Sequence, residues 1–410
     1  MTDDLAAPSS TTPLVETTIT ADLVRGALEI EATDRGLLPH RLPAWARARA
    51  DAQLLTAEAC PAGVRLAFRT RATVVEVDLR RTTMRFRGMP PRPDGRVDLV
   101  VGGVAAGSLS TSGGTTVTVD LATGATETAD GPAATLRFAG LSGRDQDVEL
   151  WLPHQARTEL VALRADAPVA PLPSGDRPMW VHHGSSISQG SNAGGPTGTW
   201  PALAAAAGGV DLVNLGFSGS MMLDPFVARV MRDLPADLLS LEIGINLVNG
   251  DVMRRRVLAP AVHGFLDTLR DGHPTTPLLV VGPVLCPIHE DTPGPGAPDF
   301  SDGTVRFRAT GDPADVVDGP TGRLSLRAIR RELARVVAER ADDPHLHLVD
   351  GLALYGEADA AEHPLPDRLH PDAAGHRLIG ERFAAHAFSV PTAWSRAGPW
   401  GDRRRSVGGR

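Results

Sequence analysis

The sequence of 410 residues contains no lysine, so all 41 of its basic side chains are arginines. Without lysine the chain cannot form a Schiff base, and it cannot build the lysine-containing phosphate loop of nucleotide-binding enzymes. Cysteine is nearly as scarce, because Cys60 and Cys286 are the only two and lie far apart. Two isolated cysteines give neither a disulfide framework nor the ligand spacing of a zinc site. We therefore expect no bound metal ion.

The chain also lacks a long apolar run, and its first residues have neither the basic nor the apolar region of a signal peptide. Its net charge of −8 provides no excess of positive charge for nucleic acid or for an anionic membrane surface. Together these absences predict a cytoplasmic protein without a nucleic-acid or membrane partner. The oligomeric state stays open at this level.

The length of the chain predicts two domains. In the first, residues 15–170, apolar and polar residues alternate in short runs between clusters of Gly, Pro and Asp. The clearest runs lie at residues 28–32, 64–69, 73–79, 116–121 and 148–152. Short strands with regular turns predict an all-β sandwich or jelly roll. We expect the terminal stretches, residues 1–14 and 391–410, to be disordered tails, the second of them basic.

A proline-rich stretch at residues 171–176 is the predicted linker, and the pattern changes after it. In residues 177–390, continuous apolar runs alternate with helical stretches. The apolar runs are near Val181 and at residues 212–215, 238–243, 278–281 and 347–350, and the helical stretches are 199–207, 225–234, 252–270, 324–341 and 373–387. This alternation predicts a three-layer, doubly wound α/β domain with a five-stranded parallel sheet.

One connection in the second domain is unusually long. About forty residues rich in Pro, Gly and Asp separate the strand that ends near Val284 from the helix that begins near Ser325. Structureless segments longer than about 15 residues are usually functional loops or disordered insertions. Because this segment follows the carboxyl end of a strand, a lid over a pocket is one interpretation and a surface insertion is the other.

Four polar sites each follow a strand of the predicted parallel sheet. Ser186 follows the first strand, Gly219 the second and Asn246 the third, whereas Asp367 and His370 follow the fifth. The carboxyl ends of parallel strands meet at one edge of the sheet, so these residues can share a pocket. On its own, the small-residue turn around Ser186 fits an ordinary Gly/Ser loop as well as a nucleophile turn.

These residue types match the requirements of acyl transfer, which needs a nucleophile, a base, a group that orients the base, and donors for the oxyanion. Ser186 is the candidate nucleophile and His370 the candidate base. Asp367, three residues before His370, can hold the second imidazole nitrogen. The backbone N–H groups of Ser186 and Gly219 and the side-chain amide of Asn246 are the candidate oxyanion hole.

Four sequence blocks resemble the SGNH, or GDSL, superfamily of serine esterases and acyltransferases. Residues 184–190 resemble its nucleophile block, 214–219 its second block, 244–246 its third and 367–371 its last. The resemblance covers roughly residues 177–390. Together with the N-terminal domain, it is similar to carbohydrate esterases and natural-product acyltransferases that carry a jelly-roll domain.

The sequence departs from the superfamily pattern at two positions. The acidic residue that precedes the nucleophile is Ser185 here, and the acidic residue that often follows the oxyanion asparagine is Leu247. Neither departure removes a chemical role that the reaction requires, although the second can alter the polarity of the pocket.

The resemblance implies a serine esterase that hydrolyses esters of a small molecule or of an acetylated sugar. The reaction would run through an acyl-enzyme and would need no cofactor. An acyltransferase that moves the acyl group onto a hydroxyl of a secondary metabolite uses the same triad and remains open. A glycan-binding protein with an inactive second domain is the alternative from another class.

Overall fold

In the computed structural model the described residues are 13–89, 93–120, 123–173, 177–301 and 303–388. Parts of the predicted tails and linker lie outside the described residues. These parts are residues 1–12, 174–176 and 391–410. Contacts within the chain divide it into two discontinuous units. The first comprises residues 1–41, 59–176 and 195–197, and the second comprises 42–58, 177–194 and 198–410. The sequence predicted a single boundary at residues 171–176. The contacts differ from this prediction, because residues 42–58 group with the second unit.

The first unit is all β. Its strands are β1 Val15–Thr17, β2 Val24–Arg25, β3 Glu29–Thr33, β4 Gly36–His40, β5 Arg65–Thr70, β6 Val74–Phe86, β7 Arg96–Val101, β8 Val104–Ser110, β9 Thr115–Val119, β10 Thr126–Asp130, β11 Ala134–Ala139, β12 Gln146–Trp151, β13 Arg157–Ala165 and β14 Val169–Pro171. One sheet has the order β10-β9-β6-β13-β4-β3, with β11 also on β6 and β1 on β13. The other has the order β14-β5-β12-β7-β8, with β2 also on β5.

Alternating side chains build the core between these two sheets. In β11, Ala134, Leu136 and Phe138 are buried while the residues between them are exposed, which is the two-residue period of a strand with one covered face. Phe68 of β5 and Leu79 of β6 belong to the same buried cluster, although they lie in different sheets. Each such side chain stabilises the fold by about 1.5–3 kcal/mol. The predicted sandwich is confirmed.

The second unit contains a parallel sheet, the strands of which are β15 Met179–Gly184, β16 Asp211–Gly216, β17 Leu238–Glu242, β18 Leu278–Val281 and β21 Leu346–Val349. Their order is β16-β15-β17-β18-β21, and every neighbouring pair is parallel. Among the described residues this sheet therefore has the five strands that the apolar runs predicted. All four residues of β18 are buried, because helices cover both faces of a sheet of this kind.

Helices surround this sheet. They are α1 Ala44–Arg47, α2 Ala52–Glu58, α3 Ser186–Gln189, α4 Trp200–Gly208, α5 Pro225–Asp233, α6 Ile245–Asn249, α7 Arg255–Gly272, α8 Leu326–Glu339, α9 Gly351–Leu354, α10 Glu357–Glu362 and α11 Ala373–Phe388. Three-residue 3₁₀ turns lie at Ala21–Leu23, Pro196–Gly198, Pro287–His289 and Pro313–Asp315. None of the helices in the described ranges is long and apolar enough to cross a membrane.

The long connection before α8 has secondary structure of its own. A two-stranded antiparallel hairpin forms from β19 Gly296–Asp299 and β20 Arg306–Ala309. No strands are predicted from the sequence in this connection, so the hairpin corrects that prediction. Its interpretation as a lid stays a prediction.

Candidate active site

The candidate nucleophile lies where the first parallel strand turns into a helix. β15 ends at Gly184, and Ser186 is the first residue of α3. Ser185 caps this helix, since its hydroxyl accepts the N–H of Ile187 at 3.1 Å. Ser186 is buried, but 7% of its surface is exposed to solvent. Its own N–H is among the first-turn amides that have no acceptor within a helix, so it is a potential oxyanion donor.

The structure brings the three candidate triad residues together. The Oγ of Ser186 lies 2.9 Å from Nε2 of His370, and Nδ1 of His370 lies 2.7 Å from Oδ2 of Asp367. A carboxylate only accepts, so Nδ1 carries the proton and Nε2 presents a lone pair to the serine hydroxyl. This is the tautomer that a general base requires.

The Asp367 carboxylate is held by several donors. Its Oδ1 accepts the backbone N–H groups of Leu369 at 2.9 Å and of His370 at 2.7 Å, and its Oδ2 also accepts Nδ2 of Asn192 at 3.1 Å. Burial raises the pKa of Asp367, but the hydrogen bonds and the charge of His370 outweigh burial and lower the pKa from 3.8 to about 2. The carboxylate is therefore ionised at neutral pH.

The other predicted oxyanion donors are Gly219, in the turn after β16, and Asn246, the second residue of the helix α6 that follows β17. Gly219 is the third residue of a β-turn that the Ser220 N–H closes onto the Phe217 carbonyl at 3.0 Å. Its φ of +72° favours glycine, as in a type II turn. In Asn246, the Oδ1 accepts the N–H of Met221 at 3.0 Å, so the Nδ2 group is the end of the amide that can act as a donor.

A buried carboxylate that we did not predict lies beneath the nucleophile. Oε2 of Glu242, the last residue of β17, accepts the N–H of Ser185 at 2.8 Å and the hydroxyl of Ser188 at 3.1 Å. Burial raises the pKa of Glu242, and the hydrogen bonds from Ser185 and Ser188 oppose this effect. An acidic group is thus present beside Ser185 even though position 185 itself is not acidic. A carboxylate within the apolar run 238–243 was the signal for it, since buried charges need partners.

His182 belongs to a hydrogen-bonded chain that ends at this carboxylate. The indole N–H of Trp180 donates to the Ser240 hydroxyl at 2.8 Å, which lies 2.7 Å from Nδ1 of His182. Nε2 of His182 lies 2.8 Å from the Ser188 hydroxyl. Because Ser188 donates to Glu242, Nε2 of His182 must be the donating nitrogen. Burial lowers the pKa of His182 well below its ordinary value, which keeps the ring neutral and structural.

The long connection before α8 contacts the loop that carries the predicted base. The N–H of Phe307 donates to the carbonyl of Asp367 at 2.9 Å, and the Phe307 ring meets the ring of His370 edge to face at 5.8 Å. The thiol of Cys286 lies 3.5 Å from the carbonyl of Arg368. Arg368 has a left-handed φ of +65°, a strained conformation that functional sites often contain. This segment therefore helps to hold the Asp367–His370 loop.

Other polar residues have structural partners instead. His376 contacts the Ser191 carbonyl at 2.8 Å through Nε2 and accepts the Trp200 N–H at 3.3 Å through Nδ1. Nδ1 of His289 lies 3.1 Å from the carbonyl oxygen of Thr292. Within the described ranges, no group of three His, Cys, Asp or Glu side chains could hold a metal ion.

Residues 183–378 match the model of the GDSL-like Lipase/Acylhydrolase family, a stretch that contains the candidate triad and the candidate oxyanion donors. This part of the chain is a GDSL domain. Residues 23–161 match the model "SsfX3, N-terminal domain". The resemblance inferred from the sequence blocks is therefore confirmed. No curated protein matches the chain.

Solved structures resemble the chain over both domains. The salicylyl-acyltransferase SsfX3 from a tetracycline biosynthetic pathway is 27% identical with a TM-score of 0.70, and the match covers 92% of this chain and 94% of that one. A protein from Bacteroides ovatus described as a GDSL-like lipase has 17% identity and a TM-score of 0.63, with 90% and 95% covered. A family two carbohydrate esterase from Clostridium thermocellum has 14% identity and a TM-score of 0.51, with 79% and 91% covered. The matched family supports an enzyme that acts on esters.

Proposed function

We propose that the protein is a serine esterase that cleaves a carboxylic ester of a small molecule, through an acyl group carried on Ser186. The observation that supports this most directly is the continuous contact from the Ser186 hydroxyl through His370 to Asp367, at 2.9 and 2.7 Å. The GDSL domain and its ester-active neighbours agree with this chemistry.

In the first half of the proposed reaction, Ser186 Oγ attacks the ester carbonyl as its proton passes to Nε2 of His370. Asp367 stabilises the resulting imidazolium, because it is an ionised acceptor already bonded to Nδ1. The carbonyl oxygen becomes an oxyanion, which the N–H groups of Ser186, Gly219 and Asn246 can bind. His370 then returns the proton to the departing alkoxide, the C–O bond breaks, and the acyl group remains on Ser186.

In the second half, water takes the place of the alcohol. His370 removes a proton from the water as its oxygen attacks the acyl carbon, and the proton then passes to Ser186 Oγ as the acid leaves. All charges and protons return to their starting positions. The proposed steps use only side chains and backbone groups of this chain.

Covalent labelling tests the proposed nucleophile. A fluorophosphonate should add its phosphoryl group once per chain, and fragmentation of the labelled peptide should locate it on Ser186. Ser186→Ala should abolish the label. Ser185→Ala is the matched control and should keep it, because the Ser185 hydroxyl bonds to the N–H of Ile187 and not to His370. Absence of label from the wild-type protein would overturn the proposal.

A second candidate is transfer of the acyl group onto a hydroxyl of a natural product. Two observations favour it: the likeness to a salicylyl-acyltransferase over 92% of the chain, and the match of residues 23–161 to the SsfX3 N-terminal domain. The chemistry up to acyl-Ser186 is the same. The two candidates differ only in whether water or an alcohol resolves the acyl-enzyme.

Product partition distinguishes the two candidates. The protein is incubated with an activated aryl ester, with and without polycyclic phenol or sugar acceptors, and the acid and the new ester are quantified. Free acid as the main product at every acceptor concentration supports the esterase. A new ester that increases with acceptor concentration while free acid decreases supports the transferase.

A further inference from the structure

A residue from the N-terminal part of the chain contacts the turn that carries a predicted oxyanion donor. Gln53 lies in α2. Although it falls within residues 23–161, which match the SsfX3 N-terminal domain, it groups with the second unit. Its Nε2 donates to the carbonyl oxygen of Ser218 at 2.9 Å. A Cβ built on Gly219 would lie 3.0 Å from the same Nε2, so the amide packs directly against Gly219.

The position of Gln53 is fixed by its helix. Leu54 and Ala57 are buried, with 2% and 3% of their surface exposed, so α2 is anchored through residues next to Gln53 in sequence and one turn after it. The N–H of Leu54 donates to Oδ1 of Asp51 at 2.8 Å, which caps the start of the helix. The Gln53 side chain itself is exposed. It can therefore be changed without opening a cavity in the core.

The Ser218 carbonyl and the Gly219 N–H are the two ends of one peptide group. In a trans peptide these bonds point in opposite directions, so a donor that holds the carbonyl also sets the direction of the N–H. A hydrogen bond to the carbonyl also polarises the peptide and makes its N–H a stronger donor. On the other side, the N–H of Ser218 donates to Oε1 of Gln189 at 2.9 Å. The Ser220 hydroxyl also donates to the Ser218 carbonyl, at the longer distance of 3.4 Å. Gln53 thus makes the shorter of these two side-chain contacts to a peptide whose N–H is one of the two backbone donors proposed for the oxyanion.

We propose that Gln53 is a positioning residue of the oxyanion hole, acting through the Ser218–Gly219 peptide. This inference rests on the proposed function, in which the Gly219 N–H binds the oxyanion. Gln53 does not touch the reacting atoms in this assignment. It supports catalysis by keeping a glycine-containing turn, which is intrinsically mobile, in the orientation that the transition state requires.

Three substitutions separate this role from a general structural one. Gln53→Met keeps the size but removes the donor, and should lower kcat about three- to tenfold with KM unchanged, as expected for one net hydrogen bond used in the transition state. Gln53→Glu places a carboxylate against the Ser218 carbonyl and should lower kcat further. Gln53→Lys restores a donor and should recover most of the loss. Leu55→Ala, an exposed neighbour on α2, is the control and should match the wild type.

The readouts are burst-phase acylation by an activated ester and thermal unfolding. Lower acylation in Gln53→Met at unchanged melting temperature, with recovery in Gln53→Lys, supports the inference. Wild-type kcat in Gln53→Met overturns it, and so does a loss that appears in KM alone. Fluorophosphonate labelling of wild-type Ser186 is measured in parallel. A labelled wild type with fully active Gln53→Met removes only this inference, whereas an unlabelled wild type removes the proposed function itself.

Discussion

Asp367→Asn should lower the activity. It should also lower the free energy of unfolding, by removing a contribution that is lost in acid. Asparagine can still accept the N–H groups of Leu369 and His370, but it presents an N–H₂ group or a weaker oxygen to Nδ1 of His370. Facing a donor, the imidazole moves its proton to Nε2 and can no longer accept from Ser186. This change of tautomer is expected to lower kcat by about 10⁴-fold.

The pKa of Asp367 gives the size of the stability effect. Its fall from 3.8 to about 2 corresponds to about 2.5 kcal/mol in favour of the ionised, folded state. Because the folded-state pKa lies below the unfolded one, this contribution is complete above about pH 5 and is lost as pH falls through 4 towards 2. The free energy of unfolding of the wild type should therefore be larger than that of Asp367→Asn, and this difference should roughly halve between pH 6 and pH 3.

Urea denaturation at pH 6, 4 and 3 measures this difference. Tryptophan fluorescence reports on the first unit through Trp151 and on the second unit, which contains Asp367, through the fully buried Trp180 and Trp200. Asp342→Asn, which changes an exposed carboxylate of the same unit, is the control and should show little difference at any of the three pH values. A difference between wild type and Asp367→Asn that stays constant from pH 6 to pH 3 would refute the reasoning.

Substitutions at three further positions test the remaining parts of the site. Asn246→Ala should lower kcat by about 10²- to 10³-fold in initial-rate assays with little change in KM, and a change in KM alone would contradict its role in the oxyanion hole. Glu242→Leu leaves the Ser185 N–H and the Ser188 hydroxyl buried without an acceptor, so urea denaturation should show a loss of about 2–6 kcal/mol. Glu242→Gln keeps one oxygen and should lose less than half as much; equal losses would show that the acceptor is not what matters. Gly184→Ala should slow labelling by a fluorophosphonate, because its Cβ would collide with Ser188 Oγ and lie 2.8 Å from Oε2 of Glu242; unchanged labelling would show that this contact is not tight.

The parallel sheet could be predicted closely because its strands are buried on both faces. Leu278–Val281 is a continuous apolar run with no competing helical period, and its predicted and observed limits agree. In the sandwich, the strand predicted at residues 73–79 extends to Phe86, although its last residues are exposed. Pairing with β9 supports that extension, and a partner strand cannot be inferred from local periodicity.

The N-terminal helices are not predicted from the sequence, because all of residues 15–170 are treated as β. The sequence of α2, Ala-Gln-Leu-Leu-Thr-Ala-Glu after Asp51, contains good helix formers behind a capping residue. Ser186 could be placed at the edge of the sheet because it closely follows a strand. The short helices α9 and α10 separate β21 from Asp367 and His370, which were marked instead by their spacing of three residues. Gln53 carries no marker in the sequence, and the signal for Glu242 is a carboxylate within an apolar run. The importance of both residues comes from the peptide or hydroxyl that the fold places beside them.

The early position of residues 42–58 in the chain has a consequence for synthesis and for truncation. This segment leaves the ribosome more than a hundred residues before the sheet of its own unit exists. A fragment that starts at residue 177 would contain Ser186, Asp367 and His370 but neither α1 nor α2. A single cut before residue 177 would therefore yield a fragment with all three residues of the proposed triad. That fragment would lack Gln53, which donates to the Ser218 carbonyl.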